Sequence, residues 1–188
     1  MRIISGYLKG RKIIQPNTKL TRPLKDLVKE STFNILKHSN LINVNLEKSE
    51  VLDLFSGVGS FGLECISRGS KNVIFWENYV ETLEILKKNI IKLQCEEKTK
   101  IIAKDIFDLK DFNCLDKKKF DIIFLDPPYK ENKLTDLISL LIEKKILNIN
   151  GIIIIHRHKK QKDLFPKNFQ IIEEKKYGVS KIIFGTSS

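Results

Sequence analysis

The sequence predicts an α/β fold: a Rossmann-like, doubly wound and mostly parallel sheet with a closing antiparallel strand, plus a small basic N-terminal extension of a hairpin and a helix. Three observations predict it. Apolar runs of about five residues alternate with stretches of helical periodicity from residue 51 onward, the pattern of repeated strand–crossover–strand units. Gly57-Val58-Gly59-Ser60-Phe61-Gly62 follows the first of those runs, as glycine-rich turns do where a buried strand feeds a helix. Asp126-Pro127-Pro128-Tyr129 follows a later run, and two prolines in succession stop a strand where it stands.

In chain order, Arg2-Ile3-Ile4-Ser5-Gly6 and Arg11-Lys12-Ile13-Ile14 read as two short strands about a glycine turn. After the break at Pro16-Asn17-Thr18, Thr21-Arg22-Pro23 reads as a helix start with Pro23 in the first turn. Leu24, Leu27, Val28, Ser31, Ile35 and Leu36 then recur at helical spacing, turning Lys25, Lys29 and Glu30 towards other faces. Residues 40–49 are polar and read as a linker, dividing an extension, 1–48, from a main domain, 49–188.

In the main domain, strands are expected at 51–55, 72–77, 100–104, 120–125 and 151–155, with helices from the glycine loop to about Arg68, over 80–93 and over 132–146. Leu83, Leu86, Ile90 and Leu93 mark the inward face of the second of these helices. Residues 169–177 and 179–184 suit a closing antiparallel pair.

Composition excludes several classes. The longest apolar runs, such as Ile152-Ile153-Ile154-Ile155, are far too short to span a bilayer, and no signal-peptide core opens the chain, so a cytoplasmic location without a membrane partner is expected. Cys65, Cys95 and Cys114 are odd in number and widely spaced, which argues against a disulfide framework or a zinc site. The net charge of +11 is concentrated: residues 1–40 hold nine Lys and Arg against two acidic residues. A basic arm on a near-balanced domain points to a polyanion, most simply nucleic acid.

The two loops carry the chemistry. The Asp126 loop supplies a carboxylate, the Pro127 carbonyl and the Tyr129 ring, features that suit a flat base bearing an exocyclic amine. The glycine loop fits both nicotinamide and S-adenosylmethionine binders. Asp53, Glu77, Asp105 and Asp126 end four strands, and such an acidic crevice repels a pyrophosphate but suits the sulfonium and amino group of S-adenosylmethionine. Capping of the following helices is the plainer role for Asp53 and Asp105. His156-Arg157-His158-Lys159-Lys160 reads as a basic loop after the fifth strand, facing RNA or solvent, because an i, i+2 histidine pair is a weak metal signature. His38 reads as a surface residue.

With these motifs placed, nearly the whole chain resembles the bacterial RsmD-like family of class I methyltransferases, which methylate the exocyclic N2 of a guanine in 16S ribosomal RNA. Met1 to Gly6 with Gly10-Arg11-Lys12, Arg22-Pro23 with Asp26, Val28, Glu30, Phe33 and Asn34, and Leu52 to Gly57 with Gly62-Leu63-Glu64 carry the resemblance. The chain departs from the family pattern at Leu27 and Lys29, where arginines are usual, and at Val58, where a serine is usual. The resemblance implies S-adenosyl-L-methionine bound by Asp53, Phe55, Gly57, Gly59, Glu77, Asp105, Ile106 and Asp126. It implies methyl transfer by Asp126, Pro127 and Tyr129, and contacts to 16S ribosomal RNA or a small-subunit particle from Arg2, Arg11, Lys12, Arg22, Pro128 and Tyr129. A monomer without metal is expected. The rivals are a DNA adenine or cytosine amine methyltransferase, which would want a target-recognition domain not visible in 188 residues, a non-catalytic RNA-binding module, and a nicotinamide oxidoreductase.

Overall fold

The computed structural model describes residues 1–16 and 24–187. Its centre is a seven-stranded sheet in the order β3-β2-β1-β4-β5-β7-β6. The strands are β1 (Glu50–Leu54), β2 (Asn72–Trp76), β3 (Thr99–Ile102), β4 (Phe120–Leu125), β5 (Leu147–His158), β6 (Phe169–Tyr177) and β7 (Ser180–Ser187). The first five run parallel, and β7 is antiparallel to both β5 and β6. The helices are α1 (Asp26–His38), α2 (Ser60–Ser67), α3 (Val80–Leu93) and α4 (Leu134–Glu143).

The strands read as nearly continuous apolar runs because both faces are covered. Their alternate residues divide between two cores. Val51, Phe75, Ile122, Phe124, Ile152 and Ile154 join α1, α2 and α3 on one face; Leu52, Trp76, Ile123, Leu125, Ile153 and Ile155 join α4 on the other. Period-two alternation therefore carries Asp53, Asp126 and His156 towards the first face, and Arg157 towards the second. Rings stack through the first core: Phe124 lies 3.9 Å from Phe61, and Phe61 lies 5.1 Å from Phe33.

Residues 1–16 share that core through the buried Ile3, Leu8 and Ile13. Two expected strands there reduce to one antiparallel bridge, Arg2 with Lys12, and the N–H groups of Ile4, Ser5, Tyr7 and Leu8 are taken by α2. The Glu64 carboxylate accepts the N–H groups of Ile4 and Ser5 at 2.8 and 2.9 Å. Ser67 accepts those of Tyr7, through its carbonyl, and of Leu8, through its hydroxyl.

Lys29 corrects the expected helix face. It is wholly buried, whereas Leu27 is 67% exposed. Its ammonium lies 3.5 Å from Glu64 and donates to the Arg2 carbonyl and to Ser60. Burial lowers its pKa, and the Glu64 charge opposes the fall. A basic residue thus occupies an inward position because a buried carboxylate waits there.

The bounds of four elements also differ. Helix α1 starts at Asp26 with Lys25 at its cap position, and the expected start at Thr21-Arg22-Pro23 lies outside the described residues. Strand β3 ends at Ile102, and α4 is confined to Leu134–Glu143, with Lys145 in the left-handed region at φ 50°. Strand β5 is much longer than 151–155. It continues through His156 and Arg157, paired with β7 out to His158 opposite Ser180, so these side chains are interior and not part of a basic loop.

Candidate active site

At the carboxyl ends of β1, β2 and β4 the chain turns away from the sheet and leaves a cavity of about 740 Å³, the size of a small-molecule site. The turn after β1 demands unusual backbone angles. Phe55, Gly57 and Gly59 have φ of 58°, 53° and 85°. A Cβ on Gly59 would also stand 2.5 Å from Leu86 Cδ1, so only glycine fits at the cap of α2.

Two carboxylates hold this turn. Asp53 Oδ2 accepts the Gly62 N–H at 2.9 Å, within the first turn of α2. Burial pushes the Asp53 carboxyl well above the ordinary carboxylate range, against the Gly62 hydrogen bond and with the charges of Asp126 and Glu77 adding to the rise. Glu77 Oε2 accepts the Gly57 N–H at 2.7 Å, while Oε1 accepts those of Asn78 and Tyr79 at 3.0 and 2.9 Å. Glu77 therefore fixes the glycine loop and the start of α3 together. On the third side, Asp105 Oδ1 accepts the Phe107 N–H at 3.0 Å, with Ile106 buried between them and Phe107 tilted against Phe55.

The Asp126 loop closes the cavity and is braced from β5 and the segment after it. Register places Leu125 beside Ile155, so the next residues, Asp126 and His156, are neighbours, and His156 Nδ1 lies 2.7 Å from Asp126 Oδ1. Arg157 is buried; it donates to the carbonyls of Pro128 and Glu131 at 3.0 Å each and is paired with Asp163 at 2.8 Å. Gln161 donates to the Tyr129 carbonyl, and Lys181 to the Gln161 carbonyl. This bracing engages the carbonyls of Pro128, Tyr129 and Glu131, and that of Pro127 is not among them.

The cavity brings together Asp53, Phe55, Gly57, Glu77, Asp105, Ile106, Asp126, Pro127, Pro128 and Tyr129. Gly59, expected at the cofactor with them, does not line the cavity and stands instead at the cap of α2. Arg2, Arg11 and Lys12 are exposed on the extension and do not line it, although Met1, Gln15 and Pro16 do; Arg22 lies outside the described residues. Among the described residues, its lining holds five carboxylates and no lysine or arginine. Among the described residues, the buried Ser56 hydroxyl on its wall has no hydrogen-bond partner. A positively charged ligand with further polar groups fits such walls; a pyrophosphate does not.

Sequence reasoning missed His156, Arg157 and Asp163. The available signal was the alignment of two apolar runs, 122–125 and 152–155, which sets the residue after each run side by side in a parallel sheet.

The family described as conserved hypothetical protein 95 matches residues 1–186. Ribosomal RNA small subunit methyltransferase D of Haemophilus influenzae is 36% identical over 181 residues, covering 95% of this chain and 90% of its own. A solved Haemophilus influenzae protein designated a methylase superposes with a TM-score of 0.74 at 33% identity, over 98% of this chain and 96% of its own. An Escherichia coli protein designated a methyltransferase reaches 0.82 at 24% identity, over 100% and 97%, a likeness of fold.

Proposed function

The chain belongs to the conserved hypothetical protein 95 family of RsmD-like methyltransferases, and from that premise we propose that it methylates the exocyclic N2 of a guanine in 16S ribosomal RNA, using S-adenosylmethionine. One observation carries the reading: Asp126, Pro127 and Tyr129 line a cavity whose charged side chains, among the described residues, are all carboxylates. The names of the relatives support RNA as the substrate class, and the exposed Arg2, Arg11 and Lys12 support a polyanion beside the cavity.

In this reading Asp53, Phe55, Gly57, Glu77, Asp105, Ile106 and Asp126 hold the cofactor. The carboxylates supply charge for its cationic groups, Glu77 acting through the ribose or through the loop that it fixes. When bound, S-adenosylmethionine supplies an electrophilic methyl group, and the amine lone pair forms the N–C bond as the C–S bond breaks with its electron pair remaining on sulfur. Asp126 and the Pro127 carbonyl each accept one N–H of the amine. This holds the nitrogen in line and stabilises the positive charge that it gains. The proton then leaves to solvent, since an N-alkylated anilinium-like nitrogen is strongly acidic. Tyr129 stacks on the base, an interaction typically worth ~1–3 kcal/mol, and the base must be unpaired or flipped to reach it. Residues 1–48 act as the RNA-engaging extension of the 49–188 catalytic domain.

Incubation with methyl-labelled S-adenosylmethionine and, separately, 16S ribosomal RNA, small-subunit particles and duplex DNA tests the reading. Label is expected in a ribosomal substrate; label confined to DNA would overturn it in favour of a DNA amine methyltransferase.

A further inference from the structure

His156 sits where the bracing of the Asp126 loop meets the reacting group. It is buried at the end of the apolar part of β5, and both ring nitrogens are engaged. Nδ1 lies 2.7 Å from Asp126 Oδ1, and Nε2 lies 2.9 Å from the hydroxyl of Ser180, itself buried at the start of β7. A ring tied at opposite corners cannot flip without losing both bonds, and which nitrogen carries the proton is set by the two partners. A carboxylate only accepts, so Nδ1 must carry the proton that it receives. Nε2 is then free to accept the Ser180 O–H. Asp126 Oδ1 is engaged in this contact while Oδ2 keeps its acceptor capacity for a ligand, and the Asp126 side chain keeps 23% of its surface open where it lines the cavity. Tyr129 stands edge-on to the same imidazole, ring centres 6.4 Å apart, so one ring backs both the carboxylate and the stacking aromatic.

We propose that His156 is a positioning residue for methyl transfer: held from behind by Ser180 as the Nδ1–H tautomer, it fixes Asp126 Oδ1 and thereby presents Oδ2 to the substrate amine. The inference rests on the function proposed above. It assigns His156 no contact with the base and no proton transfer to or from it. Arg157, the next residue, performs the complementary task for the backbone, fixing the carbonyls of Pro128 and Glu131. A carboxylate without its backing rotates about χ1 and χ2, and a displacement of about 1 Å at a reacting group costs on the order of 10²-fold in rate.

Two measurements test this. Long-range ¹H–¹⁵N spectra of the ligand-free protein read the tautomer directly, and with three histidines in the chain the His156→Asn spectrum assigns the resonance. A protonated Nδ1 and an unprotonated Nε2 are expected; an Nε2–H tautomer would overturn the proposal, because Nδ1 would then face the carboxylate without a proton. Single-turnover rates on ribosomal RNA at saturating cofactor give the second reading. His156→Leu should lose about 10²-fold in rate, a loss well beyond any fall in calorimetric cofactor affinity, to which Asp126 is one contributor among several. His156→Asn, whose amide N–H stands near the place of Nδ1, should recover about tenfold of the loss, and Ser180→Ala should fall between wild type and His156→Leu. In an Asp126→Ala background, His156→Leu should cost no more than about twofold, as expected for residues acting as one unit. An undiminished loss in that background, or an equal fall in cofactor affinity, would place the role of His156 elsewhere and overturn the proposal. If the leucine variant fails to fold, the asparagine and Ser180→Ala rates decide: both equal to wild type would overturn it. Absence of transfer by the wild-type protein would overturn the proposed function itself, and the tautomer spectrum keeps that failure distinct from a failure of the His156–Asp126 contact.

Discussion

Gly6→Ala should be among the most damaging single-methyl additions in the chain. Gly6 has φ of 84°, and a Cβ built there stands 1.7 Å from the Ser67 carbonyl oxygen, 2.2 Å from the carbon and 2.6 Å from the hydroxyl. The carbonyl belongs to the end of α2 and cannot step aside. The segment must lift instead, and three hydrogen bonds go with it: Tyr7 N–H to the Ser67 carbonyl at 2.9 Å, Leu8 N–H to the Ser67 hydroxyl at 3.0 Å, and that hydroxyl to the Ser5 carbonyl at 2.5 Å. At a net ~0.5–1.5 kcal/mol each, with ~1–2 kcal/mol for a left-handed alanine, the loss is about 3–6 kcal/mol. Gly10→Ala is the control, having the same φ of 84° but no atom within 4 Å of the added Cβ; it should lose only the ~1–2 kcal/mol of backbone strain. Trp76, the single tryptophan, is buried in the sheet against Phe112 and reports unfolding by its fluorescence. Its urea midpoint should fall by about 1–3 M in Gly6→Ala and much less in Gly10→Ala. Equal midpoints in the two variants would refute the docking of the extension on α2.

The Asp53 carboxyl, raised by burial, binds its proton more tightly in the folded chain than in the unfolded one. Ionising it therefore costs stability as pH rises from the ordinary carboxylate range to the raised value. A cationic cofactor favours the ionised form, so affinity should strengthen with pH through the raised value and binding should release a proton below it. Calorimetry in two buffers of different ionisation enthalpy reads the proton, and identical apparent enthalpies at every pH would remove Asp53 from the site. Neutralising Arg2, Arg11 and Lys12 should reduce the log–log salt slope of RNA binding by on the order of one per lost phosphate contact, leaving cofactor affinity unchanged; an unaltered slope would make the extension a structural flap. Asp126→Ala should lose roughly 10²–10³-fold in turnover, the scale for one preorganised polar group, whereas Asp126→Asn, which keeps an acceptor oxygen, should retain more. Equal losses would make the charge itself indispensable.

The parallel strands were legible because burial on both faces leaves runs such as Val51-Leu52-Asp53-Leu54-Phe55 almost wholly apolar, and the turns after β1 and β4 because their glycines and prolines break the strand pattern. What could not be read depends on pairing at long range. Lys29 looks solvent-facing until Glu64, 35 positions on, is known to be buried with it. His156 and Arg157 look like the start of a basic loop because polar residues end an apolar run. Only the alignment of β5 with β4 and β7 shows that Asp126 and Ser180 await His156 inside, and Asp163 meets Arg157 from the segment after β5. Glu77 was legible as a strand-end carboxylate, but its three backbone partners were not, since its hold on the Gly57 loop spans 20 residues.

The most direct test of the central claim is the chemical identity of the product. The wild-type protein is incubated with methyl-labelled S-adenosylmethionine and small-subunit particles lacking the modification, and the 16S ribosomal RNA is recovered, digested to nucleosides and resolved by mass spectrometry. Label in N2-methylguanosine is the predicted result. Label in a methylated adenosine or cytidine, or none in the 16S RNA, would contradict it.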